Sequence, residues 1–487
     1  MCAMNPDNSV SEIVTAESLT PELAERIHRV FDSQKVTAQL LKTSTIDSRI
    51  AKLKALRVEI LARRDDILEA ARKDFNRPFV ETDFTELMPV LMEISDYCRH
   101  IKKWLKPRKV RPTLAMLGSQ GWTKYEPRGR CLILSPWNYP MTLTFGPLVP
   151  AIASGNTVMI KTSEVAPNFS AVLVSIIESL FDESEVAIFE GDASVAQALL
   201  ELPFDHCFFT GSPTIGKVVM RAAAEHLTSV TLELGGKSPV VVDETADIEL
   251  AAKTIAWAKY INAGQTCIAP DHIYIQESVK DAFTGYMCKY LREWYGEEEA
   301  GLSAELSRAV NSRHAARVAH LLEDAKARGA KVIYGGYVDI EKCFVSPTLL
   351  TDISDDADIM HEEIFGALLP IVPFKSLSNV IDKINAGPKP LALYIWTKSK
   401  VNSNFLIDNT TSGGACINNI SAHFLHSNLP FGGVNNSGMG SYHGEWGVRA
   451  FSHERAILKT RILTIKPLFP PYSPRVRRML ARVLPFI

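Results

Sequence analysis

The sequence contains no Cys-x-x-Cys pair, which argues against zinc-ribbon and thioredoxin-like chemistry, and no metal site is expected. No stretch of eighteen apolar residues occurs, so a membrane-spanning helix is not expected. Residues 1–11 are polar and lack the apolar stretch of a secretory signal. Neither sign of charge dominates: the formal net charge is −2, which supplies no basic face for nucleic acid. Internal repeats and low-complexity segments are also missing. The eight cysteines stand singly along 487 residues, a pattern of free thiols in a reducing compartment, and a cytoplasmic location is expected. The remainder, 46% hydrophobic and 22% charged, is ordinary for a soluble globular chain of roughly two to four domains.

Along the chain, residues 21–75 and 82–105 carry apolar residues at helical spacing. Residues 106–112 are basic and proline-broken, the composition of a linker. An alternating stretch over 122–127 reads as a hairpin strand ahead of Arg128-Gly129. From Cys131 onward short apolar strands alternate with helices, which predicts βαβ units and a parallel sheet. A second α/β block spans 239–418, with a helix over 248–260, further helices near 279–295 and 304–328, and strands near Val332 and Phe344. Polar motifs fall just past the strand ends, where ligands bind in such sheets.

Two stretches concentrate the chemistry. In V-T-L-E-L-G-G-K-S-P, Glu233 is the single charge in an apolar strand that ends on Leu234, Gly235 and Gly236. Desolvation there raises a carboxylate toward the range of a general base. In N-A-G-Q-T-C-I-A-P-D, Cys267 follows a turn of small residues, where a thiol can be approached and its own N–H can face the reacting centre. Singly, a buried cysteine and a strand glutamate are ordinary core and edge residues; together, 34 residues apart, they make a nucleophile and a base.

The two stretches resemble the paired signatures of the aldehyde dehydrogenase superfamily, and the resemblance runs from about residue 25 to 466. It implies an α/β fold with two Rossmann-like parallel-sheet domains and a small β extension for oligomerisation. The implied division is 1–112 as the helical part of the cofactor domain, 113–130 as an oligomerisation hairpin and 131–233 as the NAD(P)-binding domain. Residues 234–428 would form the catalytic domain, 429–450 the return to the cofactor domain, 451–466 an oligomerisation strand and 467–487 a C-terminal extension. Within the superfamily the chain looks most like the class 3 type, which includes aromatic- and fatty-aldehyde dehydrogenases. That rests on Gln265-Thr-Cys-Ile-Ala-Pro-Asp271, Pro388-Lys-Pro-Leu-Ala-Leu-Tyr394, Ser437-Gly-Met-Gly-Ser-Tyr-His-Gly444 and Pro470-Pro-Tyr472.

Asn138, in Ser135-Pro136-Trp137-Asn138, reads by itself as a turn residue; the resemblance makes its amide an oxyanion donor alongside the Cys267 N–H. Lys161 and Glu164 would meet the adenosine ribose; this chain has K-T-S-E where the family usually has K-P-S-E. A carboxylate there repels a 2′-phosphate and favours NAD, while Lys161 leaves NADP open. The turn Thr210, Gly211, Ser212, Ile215 and Gly216 departs from G-x-G-x-x-G, yet a glycine-bearing strand-to-helix turn can present N–H groups to a pyrophosphate. Leu234 and Gly235 border the same site, and Glu363 and Phe365 resemble the pair that positions the nicotinamide ribose and ring, although Ala367 replaces the usual proline. Tyr139, Ile261, Thr266, Ile268, Ile420, His423 and Phe424 are candidates for an apolar substrate wall, and ordinary core serves equally well for each.

The implied activity is NAD(P)-dependent oxidation of an aromatic or medium- to long-chain aliphatic aldehyde to the acid, in a homodimer. The alternatives are a CoA-acylating dehydrogenase, against which Glu233 argues, and a non-catalytic scaffold. Past the proline-rich residues 467–472, the stretch R-V-R-R-M-L-A-R-V-L-P-F-I mixes four arginines with apolar residues. It is expected to pack on the protein body, with weak contact to an anionic membrane surface as the alternative.

Overall fold

The computed structural model describes residues 19–113, 116, 118–296, 305–461 and 469–486. The polar start at 1–11, the beginning of the 304–328 segment and residues 462–468 of the C-terminal stretch lie outside the described residues.

The expected α/β architecture is present as two larger sheets and one smaller sheet. The first has six strands, in the spatial order Gly438–Met439, Ser229–Leu234, His206–Gly211, Arg130–Leu134, Thr157–Lys161, Val186–Phe189. All neighbours are parallel except the short Gly438–Met439, which runs antiparallel to Ser229–Leu234. From Arg130–Leu134 the chain builds outward through Thr157–Lys161 and Val186–Phe189, then returns to the other side with His206–Gly211. The order therefore reverses between Arg130–Leu134 and His206–Gly211, and the crevice above that reversal is where doubly wound sheets bind ligands. The second sheet has seven strands between Pro239–Val242 and Gly414–Ile417, parallel apart from the edge strand Lys331–Tyr334.

Between the sheets and the N-terminal helices lies Pro140–Ser154, in which all fifteen residues are buried. A helix that is apolar all round belongs inside, and this one carries the loop of Asn138 on its N-terminal side. Its main-chain donors at Met141 and Thr142 are met by the buried Glu86 carboxylate, at 3.1 and 2.9 Å.

Two local expectations are corrected. Arg108–Val110, read as part of a linker, is a strand that pairs antiparallel with Ser119–Pro127, Val110 lying opposite Gly121. A Cβ at Gly121 would come within 2.8 Å of Val110 Cγ2, so the missing side chain admits the valine. Ser119–Pro127 also pairs along nine residues with Ser452–Thr460, completing a three-stranded sheet. The helix expected over 304–328 is Ser312–Ala327; it starts where Asn311 accepts from His314 N, an N-cap that ends the preceding irregular chain.

Candidate functional site

Glu233 lies on a strand hydrogen-bonded on both sides, opposite Thr210 in His206–Gly211 and opposite Gly438 in Gly438–Met439. Alternation along a strand sends neighbours to opposite faces. Leu232 and Leu234 enter an apolar cluster with Leu132, Phe209 and Val219, so Glu233 faces the other way, into a cavity. Both of its carboxylate oxygens are buried without a hydrogen-bond partner, and burial holds this carboxyl well above the usual range. Desolvation disfavours the ionised form, because neither oxygen has a partner to offset it.

Cys267 follows a tight turn over Ile261–Gly264 in which three consecutive residues, Asn262, Ala263 and Gly264, have φ of 51°, 52° and 76°. Left-handed backbone is costly for Asn and more so for Ala. At Gly264 a Cβ would stand 2.3 Å from Gly366 O, so only glycine lets this turn close on the Glu363–Phe365 segment. Burial, followed by the nearby Glu363 and Glu233 carboxyls, pushes the half-buried Cys267 thiol up to about 12.

Both groups line one cavity of about 310 Å³. Tyr139, Ile261, Thr266, Ile268, Ile420 and Phe424 are on its wall, as is Thr210, which the sequence reading grouped with the cofactor. The wall is otherwise largely apolar, with Phe84, Leu143, Trp257, Phe431 and Tyr442, none of which the sequence marks as a wall residue. His423 is the exception among the named wall residues. It lies outside the lining, with Nδ1 3.1 Å from Cys416 Sγ. The lack of a side chain at Gly414, where a Cβ would meet the ring at 2.7 Å, lets the imidazole sink against the strand Gly414–Ile417.

Asn138 is buried beside the cavity. Its Nδ2 donates to Gln265 O at 3.0 Å, two residues before Cys267, and the second N–H of that amide is the one left for a ligand. Tyr139 shares a 2.6 Å hydrogen bond with Thr266. Asp271 ties three motifs together: Oδ1 pairs with Lys237 at 2.5 Å and Oδ2 accepts from Ile364 N at 2.9 Å. Burial works against its charge, but the Lys237 ammonium and then His272 keep it well below the ordinary carboxylate range.

The residues expected at the cofactor collect at the C-terminal edge of the six-stranded sheet. Ser135, Pro136 and Trp137 follow Arg130–Leu134, Thr210 and Gly211 close His206–Gly211, and Leu234 closes Ser229–Leu234 ahead of Gly235. Ser212 caps the helix Pro213–His226 through the Ile215 N–H. Lys161 and Glu164 pair at 2.7 Å. The crevice is shaped by missing side chains: a Cβ at Gly216 would meet Leu234 at 2.8 Å, and one at Gly235 would meet the Glu363 carboxylate at 2.1 Å. Ser135 Oγ is buried without a partner, and the Trp137 and Phe365 rings meet edge-on at 5.4 Å. A glycine-shaped crevice, a helix N-terminus, an orphaned hydroxyl and an acid–base pair just past the strand Thr157–Lys161 fit a dinucleotide. Burial, then the neighbouring Asp271, raises Glu363 to about 8.

The chain is similar to known proteins. The aldehyde dehydrogenase family model matches residues 4–457. The 4,4'-diaponeurosporen-aldehyde dehydrogenase of Staphylococcus aureus is 41% identical over 92% of this chain and 97% of its own length. The dimeric NADP-preferring aldehyde dehydrogenase of Canis lupus familiaris is 38% identical over 94% and 98%. Among solved structures, the substrate-bound state of Staphylococcus aureus AldH superimposes with a TM-score of 0.88 at 40% identity, covering 94% of this chain and 99% of that one. The chain belongs to the aldehyde dehydrogenase family of NAD(P)-dependent oxidoreductases.

Proposed function

We propose that the protein oxidises aromatic or medium- to long-chain aliphatic aldehydes to carboxylic acids, with Cys267 as nucleophile, Glu233 as general base and Asn138 with the Cys267 N–H as oxyanion donors. The observation that carries this reading is the shared cavity: a thiol and a partnerless carboxyl open into one largely apolar space. The Cys267 thiolate, its proton already lost to solvent, attacks the carbonyl carbon, and the carbonyl electron pair moves onto oxygen, which the Asn138 amide and the Cys267 N–H stabilise. The nicotinamide, when bound beside Glu363 and Phe365, supplies the hydride acceptor. Loss of hydride from the carbon turns the thiohemiacetal into a thioester of Cys267. Glu233 then takes a proton from water as the water oxygen bonds to the acyl carbon, and the C–S bond breaks to release the acid. Base and nucleophile must be separate groups because Cys267 is acylated when the water is activated. Glu164 favours NAD at the ribose, with Lys161 admitting NADP. The test is NAD(P)H formation with benzaldehyde, hexanal and decanal, with and without CoA. Turnover that requires CoA would sink the hydrolytic route.

The apolar wall supports selection by chain length. Ala422 lines the cavity, and Ala422→Phe would fill a large part of it. Each methylene left in water forfeits about 0.8 kcal/mol, so excluding four should lower kcat/KM for decanal about 200-fold. Hexanal should change by less than about fivefold. Equal losses for the two aldehydes would place the alkyl chain elsewhere.

A homodimer is supported by the outer edge of Ser452–Thr460, nine residues long, mostly exposed and unpaired among the described residues, since such edges recruit another strand. A cytoplasmic location is supported by the described cysteines being free thiols. The C-terminal stretch is expected to pack on the body, yet the helix Pro474–Val483 has no buried residue. At about 100° per residue, Val476, Met479, Leu480, Val483 and Leu484 share one arc, with Arg475 and Arg482 on one flank and Arg477 on the other. No Asp or Glu follows Glu454, whereas eight Lys and Arg do. No described helix is long and apolar enough to cross a membrane, but this one suits an anionic bilayer surface. The full-length protein should sediment with vesicles of equal phosphatidylglycerol and phosphatidylcholine and not with phosphatidylcholine alone. Val483→Glu should release it while benzaldehyde turnover stays unchanged; binding that survives this substitution would rule out insertion of the apolar arc.

A further inference from the structure

Arg77 is completely buried and lies outside every motif the sequence pointed to. Its Nη1 donates to Glu86 Oε1 at 2.8 Å. Its Nη2 donates both to Asn138 O at 2.7 Å and to Asn262 Oδ1 at 2.8 Å. Around that fork the contacts close on themselves. Asn262 Nδ2 also donates to Asn138 O, at 2.9 Å, and Asn262 N donates to Glu81 Oε1 at 2.7 Å. The guanidinium lies 5.1 Å from the centre of the Tyr139 ring, whose hydroxyl meets Thr266. Three separate parts of the chain converge here: the N-terminal helical region through Arg77, in the link between the helices Arg64–Phe75 and Phe79–Thr82, with Glu81 and Glu86; the turn of Asn138; and the left-handed turn that leads into Cys267.

From this convergence we infer that Arg77 is a positioning residue for the reaction: it fixes Asn138 against the Cys267 turn, so that the amide and the Cys267 N–H share one oxyanion position. Asn138 follows a strand of one sheet, and the Cys267 turn immediately precedes His272–Gln276 of the other. Their relative placement is therefore a long-range property that neither segment sets alone. A planar guanidinium suits the task because its fixed fork bridges two acceptors while a third donor stays on Glu86. Its pull on the Asn138 carbonyl and the Asn262 amide also holds Asn262 and Ala263 in left-handed backbone that would otherwise relax. Displacement of an oxyanion donor by about 1 Å costs about 100-fold in rate.

The inference rests on the roles proposed above for Cys267 and Asn138, and the test separates the two. Arg77→Met removes every donor but leaves Glu86 buried with a charge. Arg77→Met/Glu86→Gln avoids that charge and keeps an acceptor for the Met141 and Thr142 N–H groups, so it remains informative if the single variant misfolds. In the double variant kcat for benzaldehyde should fall about 100-fold, with KM and cofactor affinity within about threefold of wild type. Alkylation of Cys267 by iodoacetamide, a displacement that develops no oxyanion, should keep its rate within about twofold. Arg77→Lys, which restores charge and donors, should recover at least about tenfold of the lost kcat. A double variant that turns over like wild type would overturn the inference. So would a loss of kcat matched by equal losses in alkylation and cofactor binding, since that marks a general structural role. Failure of the underlying reading shows differently, as wild-type turnover in Cys267→Ala.

Discussion

Cys267→Ala should lower aldehyde-dependent NAD(P)H formation by at least about 10⁴-fold, the scale seen when a covalent nucleophile is removed. The substitution deletes one half-buried sulfur beside a cavity, so melting temperature and cofactor affinity should be kept. Activity within tenfold of wild type, in protein shown by mass to carry the substitution, would remove the thiol from the reaction. The wild-type pH profile is a second readout. With the thiol held at about 12 by burial and then by the Glu363 and Glu233 carboxyls, thiolate is a minor form at neutral pH. Its population grows tenfold per unit below that value, so kcat/KM should climb across pH 6 to 9. A plateau that begins near pH 6 would mean a thiol activated by a partner other than the groups lining the cavity.

Glu233→Gln should separate the two halves of the reaction. The first turnover forms the thioester without a water-activating base, so a rapid burst of NAD(P)H close to one equivalent per active site should remain. Steady-state turnover should then fall about 10³-fold, within the range that a positioned general base supplies, and the acyl group should be detectable on Cys267 by mass spectrometry. A missing burst together with an unmodified Cys267 would place Glu233 before acylation instead. The same variant bears on stability. Burial raises the Glu233 carboxyl in the folded protein, so the unfolded chain releases that proton first, above about pH 4.3. Rising pH therefore favours the unfolded chain until the folded carboxyl also ionises. Glutamine has no proton to lose. Glu233→Gln should thus melt higher than wild type at pH 8 and match it near pH 4.5; equal melting at both values would show the carboxylate to be solvated.

Much of the fold was legible because its signals are local. Short apolar runs of four to six residues alternating with helices identify a parallel sheet without further information, and the helix over 248–260 matches its sequence bounds to the residue. Local composition misled where pairing overrode it. The basic, proline-broken stretch ending at Pro112 contains the strand Arg108–Val110 because Gly121 leaves room for Val110 on its partner. His423 was grouped with the cavity wall by its closeness to Phe424, and the side-chain-free Gly414 turned it toward Cys416 instead. The C-terminal stretch is expected against the body, but its helix has no buried residue and carries cations on both flanks of its apolar arc.

The sequence by itself determined the chemistry this protein can hold: one carboxyl inside an apolar strand, one thiol in a small-residue turn, and glycine-bearing turns after strands suited to a dinucleotide. It determined the family as well, because those features recur at fixed spacing along a chain of this length. Only the tertiary structure decided that Glu233 and Cys267 open into the same cavity, that Phe84, Trp257 and Tyr442 wall it, and that Arg77, about sixty residues before Asn138, clamps the Asn138 and Cys267 turns together. The reason is physical. Propensity and periodicity act over a few residues, whereas a shared cavity and a buried hydrogen-bonded clamp are relations between distant segments, and packing alone brings those segments within reach of one another.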